Sequence, residues 1–179
     1  MKRTIKFLVV AAFMMSSTAL FAQKFGRIDY QGVIFTMPEM TTVQTELEKV
    51  QADYQEAIES MQVERNRKVD EVSKLPETTS ETTRQLRGRE ILDIEQRIQE
   101  YFQLAQDGIN RAQVELMTPV QEKADAAIEK VCKAQGIVGV FHNESMAWLD
   151  ADQIADITAA VRTELGIPAD AVPVMPAMQ

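Results

Sequence analysis

The sequence of 179 residues contains one cysteine, one histidine and one tryptophan. Because Cys132 has no second cysteine to pair with, the chain cannot form an internal disulfide, and its stability must come from packing or from assembly. A zinc site needs three or four ligands, mostly His and Cys, which this composition does not supply. A glycine-rich phosphate-binding loop is also absent. We therefore predict neither a metal nor a nucleotide cofactor.

Long apolar runs are missing, with one exception near the start of the chain. The run from Phe7 to Met15 follows three basic residues and precedes small residues that end at Ala22. This order is typical of a secretory signal peptide, which we assign to residues 1–22. The run is too short to span a bilayer comfortably. We therefore expect a soluble, exported chain without stable membrane insertion.

Positive charge is scarce. The chain has 19 Lys and Arg against 27 Asp and Glu, and three of the basic residues lie in the predicted signal peptide. The remaining chain has 16 basic and 27 acidic residues, which gives a net charge of −11. Such a field repels phosphates and anionic headgroups, so nucleic acid is not predicted as a partner, nor is an anionic membrane surface.

Glycine and proline are absent from Met40 to Leu75, where apolar residues recur at steps of three and four. This spacing predicts an amphipathic helix, and a second helix with the same period extends to Leu116. Thr78 and Glu81 have capping-box spacing for the start of the second helix. Each helix would have about 35 residues and a length of roughly 50 Å, which exceeds the diameter of a small globule.

The two predicted helices match each other when the chain folds back at residues 76–80. Apolar positions then meet if their numbers add to about 156, which indicates an antiparallel, coiled-coil-like hairpin. Two helices of a globular bundle are the alternative, but no third long helix is predicted to complete a bundle. The seam is sparse between Gln62 and Glu90, which predicts mobility near the tip. The predicted seam residues are Leu47, Tyr54, Ile58, Ile98, Phe102 and Ile109.

The helical period continues beyond Pro119 and predicts a kink or a restart there, with helix to Ala134 and a stop at Gly136. Next come "IVGVFH", the polar "NES" and "MAWL", a pattern that indicates a β-hairpin. Asp150 has the position of an N-cap for a last helix that ends at Gly166. We expect residues 167–179 to be a flexible tail.

At the other end, "KFGRIDY" predicts a third strand and "QGVIF" one helical turn. Three short strands and a terminal helix are too small to fold alone and would expose sheet edges, so we expect this body to oligomerise. The predicted core of this oligomerising body consists of Phe25, Ile28, Tyr30, Val138, Val140, Phe141 and Trp148.

His142, Glu144 and Ser145 offer the residue types of a hydrolytic triad. Triad members converge from different parts of a fold, and three residues of one turn cannot line up as nucleophile, base and orienting group. No nucleophile-elbow or oxyanion motif is present. We therefore do not predict an enzyme, and no catalytic residue is assigned.

Three segments, "GRIDYQGVIFTMPE", "LMTPVQEKADAAIEKV" and "DITAAV", resemble the Skp/OmpH family of periplasmic chaperones in their order and spacing. The resemblance covers Phe25 to Leu165. It implies an α+β fold in which a small β body, residues 23–39 and 118–166, assembles as a homotrimer. It also implies a helical hairpin, residues 40–117, that projects from the body as a tentacle.

The resemblance further implies a periplasmic holdase that shields unfolded outer-membrane β-barrel proteins between the tentacles without ATP. The alternative is a coiled-coil spacer or adaptor that binds a folded envelope partner. The best-known family members are basic, whereas this chain is acidic, so we expect either more apolar contact with clients or different clients. The client-contact residues that we predict are Met61, Val63, Arg84, Arg87 and Arg89.

Overall fold

The computed structural model describes residues 24–150 and 153–174, and the predicted signal peptide lies outside the described residues. The described residues form four helices, three short strands and one 3-10 turn, in agreement with the predicted α+β class. In chain order these elements are β1 (Lys24–Ile28), α1 (Tyr30–Thr36), α2 (Glu39–Ser73), α3 (Glu81–Gln135), β2 (Ile137–His142), the 3-10 turn (Asn143–Ser145), β3 (Ala155–Asp156) and α4 (Thr158–Glu164).

Helices α2 and α3 form the predicted long hairpin, joined by residues 74–80. The start of α3 differs from the prediction. Ser80 is the N-cap residue, and its hydroxyl oxygen accepts a hydrogen bond of 3.2 Å from the backbone N–H of Thr83. The predicted capping box of Thr78 and Glu81 is therefore wrong, because the better-placed Ser80 hydroxyl satisfies one of the exposed N–H groups.

The register of the hairpin also differs from the prediction. Near the tip, the Lys68 ammonium lies 3.0 Å from the Glu90 carboxylate. Near the base, Glu39 pairs with Lys123, whereas the predicted register places Met117 opposite Glu39. Apolar periodicity does not determine this register by itself, because ion pairs between the two helices also fix their alignment.

Helix α3 continues through Pro119 without a second helix start, so the predicted restart does not occur. The Thr118 hydroxyl donates to the Val114 carbonyl at 2.8 Å. Pro119 has no N–H to donate to the carbonyl four residues earlier, but the helix surface there is exposed, so water can reach that carbonyl. The helix ends as predicted at Gly136, which has φ 67° and donates its N–H to the Cys132 carbonyl.

The three strands form one parallel sheet in the order β2-β1-β3. The predicted β-hairpin is wrong, because β2 runs into the 3-10 turn and residues 146–150 form no strand. The third strand is Ala155–Asp156, which pairs with Gly26 and Arg27 of β1. A short strand paired in parallel with a distant segment leaves no local alternation to detect.

The C-terminal part of the body is shorter in helix and better packed than predicted. Helix α4 begins at Thr158, not near Asp150, and the Asp156 carboxylate accepts from the Thr158 N–H at 3.0 Å. The predicted flexible tail packs as far as the structure describes it. Ile167 is buried, and the Val174 N–H donates to the Phe35 carbonyl at 2.7 Å.

The core of the molecule lies where the hairpin base, the sheet and the two short helices meet. α1, α4 and one face of the sheet cover the base of α2 and the C-terminal half of α3. The arm and the body thus share one continuous helix. The buried residues of this core are Ile28, Val33, Ile34, Met37, Met40, Val43, Val120, Ala124, Ala127, Val131, Ile137, Ile157, Val161 and Ile167.

Candidate functional site

Packing along the hairpin changes abruptly with distance from the body. We call residues 62–97 the distal hairpin, and residues 39–61 with 98–117 the proximal hairpin. No side chain between Ile58 on α2 and Ile94 on α3 is buried. The distal hairpin therefore gains little from apolar burial, as the sparse seam predicts.

Ion pairs hold the distal hairpin together instead. Lys68 of α2 and Arg87 of α3 both contact the Glu90 carboxylate at 3.0 Å. These hydrogen bonds, that from Lys68 foremost, lower the pKa of Glu90. Two longer pairs, Arg65 with Glu95 at 3.8 Å and Glu64 with Arg97 at 3.7 Å, cross between the helices nearby. Exposed pairs of this kind contribute little stability each, so the distal hairpin is the weaker part of the fold.

The predicted client-contact arginines differ in their surroundings. Arg84 donates to the Pro76 carbonyl at 2.7 Å and so fastens the tip loop, and Arg87 is engaged by Glu90. Arg89 is exposed. Of the two apolar candidates, Val63 is 69 % exposed and Met61 is half-buried. The structure does not bring the five residues together as one patch, because they lie on different faces and two of the arginines have partners within the chain.

The predicted seam residues are placed unevenly. Leu47, Ile58 and Ile98 are buried, and Tyr54 and Ile109 are half-buried. Phe102 is 44 % exposed and does not face Tyr54 as predicted. Its place beside Tyr54 is taken by Tyr101, whose ring centroid lies 5.9 Å from that of Tyr54. The shifted register turns Phe102 to the flank of the seam.

The Tyr54 side chain crosses the seam onto the backbone of α3 at Gly108. A Cβ atom at Gly108 would lie 2.0 Å from the Tyr54 hydroxyl and 2.6 Å from its ring carbon Cζ. Only glycine leaves room for this approach. The contact anchors the middle of the hairpin, and periodicity could not reveal it because glycine carries no apolar signal.

Charge also divides the hairpin. The distal hairpin has eight Lys and Arg against eight Asp and Glu, whereas the proximal hairpin has two against nine. The net negative charge of the hairpin is thus concentrated next to the body and not at the tip.

On the body, one face of the sheet is open in the single chain. Phe25 and Phe141 lie on this face with ring centroids 5.8 Å apart, and they are 39 % and 44 % exposed. Gly139 leaves space beside the Phe25 ring, since a Cβ there would lie 3.3 Å from it. Parallel sheets are ordinarily covered on both faces, so this face is a candidate contact surface.

The predicted body core is only partly a core within one chain. Ile28 is fully buried, while Tyr30 and Val140 pack against the core from its edge. The other four predicted residues are exposed, and Trp148 is 82 % exposed. Apolar composition identifies residues that avoid water, but not whether the same chain or another covers them. The four exposed residues are Phe25, Val138, Phe141 and Trp148.

A polar network fixes the sheet next to its open face. The Arg27 guanidinium lies 2.7 Å from the Asp156 carboxylate and donates to the Asn143 side chain at 3.4 Å. Burial acts to raise the pKa of Asp156, but the hydrogen bonds from Thr158 and the charge of Arg27 together lower it. These contacts tie β1 to β3 and to the turn after β2.

His142, Glu144 and Ser145 do not assemble into a triad. The His142 ring stacks on Tyr30 with centroids 4.7 Å apart, and the Tyr30 hydroxyl donates to Asp125 at 3.1 Å. Burial, followed by the Asp125 carboxylate, raises the pKa of Tyr30 to about 12. Among residues 24–150 and 153–174, no group of three His, Cys, Asp or Glu side chains could hold a metal ion. The exposed histidine thus contacts α1 through its stack on Tyr30.

No helix in the described part of the chain is both long enough and apolar enough to cross a membrane.

A family model described as "Outer membrane protein (OmpH-like)" matches residues 24–165. The chain belongs to the OmpH-like family. Membership of this family indicates an outer membrane protein chaperone, and it agrees with the resemblance of the sequence. The order of the elements agrees as well, from the N-terminal strand through the long hairpin to the last helix.

Among solved structures, the fold is similar to that of a Caulobacter crescentus protein described as an OmpH-like outer membrane chaperone. The TM-score is 0.67 at 12 % sequence identity, and the match covers 88 % of this chain and 92 % of that one. At this identity the likeness concerns the fold. No curated protein sequence matches this chain significantly.

Proposed function

We propose that this protein is an ATP-independent holdase of the periplasm that binds unfolded outer-membrane β-barrel proteins between the helical hairpins of a homotrimer. The observation that carries the proposal is the hairpin itself, whose distal half has no buried side chain between Ile58 and Ile94 although it belongs to the long helices α2 and α3. An arm of this kind can adjust its surface to clients of different shape. Family membership supports the same function.

Unfolded β-barrel proteins expose alternating apolar side chains and unpaired strand edges, which aggregate in water. Several weak contacts along flexible arms prevent that aggregation without one fixed interface. Because each contact is weak, the client can leave for the membrane without nucleotide hydrolysis.

The open sheet face supports the proposed assembly. Phe25 and Phe141 lie exposed beside each other, and Trp148 is the most exposed large apolar side chain in the described part of the chain. A second and third copy would cover these residues and the unpaired edge of β2. The body then becomes the hub from which three hairpins extend.

The test of the holdase is light-scattering aggregation of an outer-membrane β-barrel protein diluted from urea, with and without the chain from Gln23 to Gln179. We expect suppression at about one trimer per client, with no effect of ATP. A well-folded oligomer that leaves aggregation unchanged would contradict the holdase and favour the spacer or adaptor.

The test of the assembly uses Phe25→Ser with Phe141→Ser, followed by mass measurement in solution. We expect the wild-type chain to have three times the protomer mass and the double variant to dissociate. Val172→Ser is the matched control, since Val172 is 78 % exposed on another part of the body and should not affect the mass. Trp148 fluorescence should shift to shorter wavelength in the trimer, and a monomeric wild-type chain would contradict the proposed assembly.

A further inference from the structure

We infer that the proximal hairpin selects client segments in which Lys or Arg flank apolar residues. This inference rests on the proposed function and names the chemistry of the segments that the arms hold. It starts from a row of side chains on the face of α3 that points away from α2, namely Glu100, Leu104, Asp107 and Val114, which we call the outer row.

The outer row is continuous along one face of α3. Its members follow one another at steps of four, three and seven residues, which stack on the same side of a helix. Leu104 and Val114 are 49 % and 66 % exposed, and the two carboxylates between and beside them are exposed as well. Two apolar side chains and two carboxylates thus share this face, which also carries Arg111.

The proximal carboxylates lack the partners that neutralise those of the distal hairpin. In the distal hairpin, Glu64, Glu71, Glu90 and Glu95 each form an ion pair. Among the described residues, Glu39 at the base is the only proximal carboxylate that forms an ion pair. The unpaired members are exposed, and they are Glu46, Glu48, Asp53, Glu56, Glu59, Glu100, Asp107 and Glu115.

The cations of the proximal hairpin are few. Arg111 lies on the same face as the outer row, where its Nε donates to the Asp107 backbone carbonyl at 3.4 Å, and it offsets one of the negative charges there. Lys49 is the other cation. Two positive charges against nine negative ones leave a negative potential over the apolar positions Leu104 and Val114.

A partner that satisfies this face must bring apolar contact and positive charge together. An unfolded chain with Lys or Arg next to apolar residues does so, while a segment rich in Asp or Glu is repelled even when its apolar pattern is the same. Exposed pairs are individually weak and are screened by salt, so selection should be strongest at low ionic strength.

The test uses two fluorescent unfolded peptides with the same apolar residues, one with Lys and the other with Glu at the polar positions. Their binding to the full mature chain is measured by anisotropy at low and high salt. We expect the Lys peptide to bind about tenfold more tightly at low salt, with most of the difference lost at high salt.

The first variant, Glu46→Gln with Glu100→Gln and Asp107→Asn, removes three proximal charges. We expect it to reduce the preference for the Lys peptide by about fivefold. The matched control is Glu122→Gln with Glu144→Gln and Asp170→Asn, which removes three exposed carboxylates from the body. If the negative potential of the proximal hairpin is responsible, the control keeps the preference for the Lys peptide. If only the net charge of the chain matters, the control loses as much of this preference as the first variant.

A second pair of variants tests the apolar part. Leu104→Ser should weaken both peptides alike, whereas Val172→Ser, at an exposed valine outside the hairpin, should leave both unchanged. Equal binding of the two peptides, or tighter binding of the Glu peptide, would overturn the inference while aggregation suppression stands. If neither peptide binds and aggregation is not suppressed, the holdase itself fails.

Discussion

Helix α3 runs through two regions that are stabilised by different forces. In the body its side chains Ala124 and Val131 pack into a core that includes the fully buried Ile157. In the distal hairpin the same helix has half-buried apolar side chains and ion pairs such as that of Glu90 with Lys68. One continuous helix thus belongs to a well-packed body at one end and to a sparsely packed arm at the other.

The two regions also differ in what their exposed apolar residues can do. On the body, Phe25 and Phe141 lie side by side on an open sheet face, an arrangement that suits a fixed interface between copies. On the hairpin, Leu104 and Val114 stand apart among carboxylates, an arrangement that suits many weak contacts. The proposed assembly and the proposed client binding therefore involve separate surfaces.

The largest expected difference between the regions comes from truncating one isoleucine in each. Ile157→Ala removes a fully buried side chain of the body and should lower the free energy of unfolding by about 2–5 kcal/mol. Ile91→Ala, at a half-buried position of the distal hairpin, should lower it by at most about 1 kcal/mol. Urea unfolding at equal protomer concentration measures both, and equal losses would remove the distinction between the regions.

Replacing two glycines of α3 by alanine should change the free energy of unfolding by smaller amounts and in opposite directions. Gly108→Ala would place a Cβ atom 2.0 Å from the Tyr54 hydroxyl and 2.6 Å from Cζ, so the ring must move, at a cost of about 1–3 kcal/mol. Gly88→Ala meets no atom within 4 Å and should stabilise the helix by about 0.5–1 kcal/mol. Thermal unfolding monitored by circular dichroism shows which variant is destabilised and which is stabilised. A stabilised Gly108→Ala chain would contradict the Tyr54 contact.

The smallest expected effect concerns acid. Since the hydrogen bonds of Lys68 and Arg87 lower the pKa of Glu90 from 4.5, they stabilise the folded distal hairpin above pH 4.5, and this stabilisation is lost as the pH falls below that value. Hydrogen exchange of distal amides should therefore accelerate in acid relative to the intrinsic rate. Glu90→Gln should remove this acid response, while Glu77→Gln in the tip loop should keep it.

Helical periods and helix stops were predictable from the sequence, whereas pairings between distant segments and the choice among competing helix caps were not. The apolar steps of α2 and α3, the stop at Gly136 and the short helix α1 were all evident in residue spacing. The two-residue strand β3 was missed, because neither of its residues is buried and its pairing with β1 joins distant parts of the chain. The true N-terminal cap of α3 was likewise missed, since several Ser and Thr residues compete at the tip.

The candidate surfaces were harder to predict than the fold. Phe141 and Trp148 were assigned to the core of an oligomerising body, and since they are exposed in the single chain, that assignment stays a prediction. The tip arginines were assigned to clients, although Arg84 and Arg87 have partners within the hairpin. Pairing of charges depends on the register between helices, which apolar periodicity alone does not determine. The uneven distribution of charge between the proximal and distal hairpin was available by counting residues along the two helices.

The decisive measurement is hydrogen exchange of the mature chain, with and without an unfolded β-barrel client. Without client, we expect the slowest exchange around Ile157 and Met40 in the body and the fastest in the distal hairpin. With client, amides of the hairpin should gain protection while those of the body core stay unchanged. Uniform exchange across body and hairpin would show that the two regions are equally stable. Protection of the body alone would show that the client does not bind the hairpin.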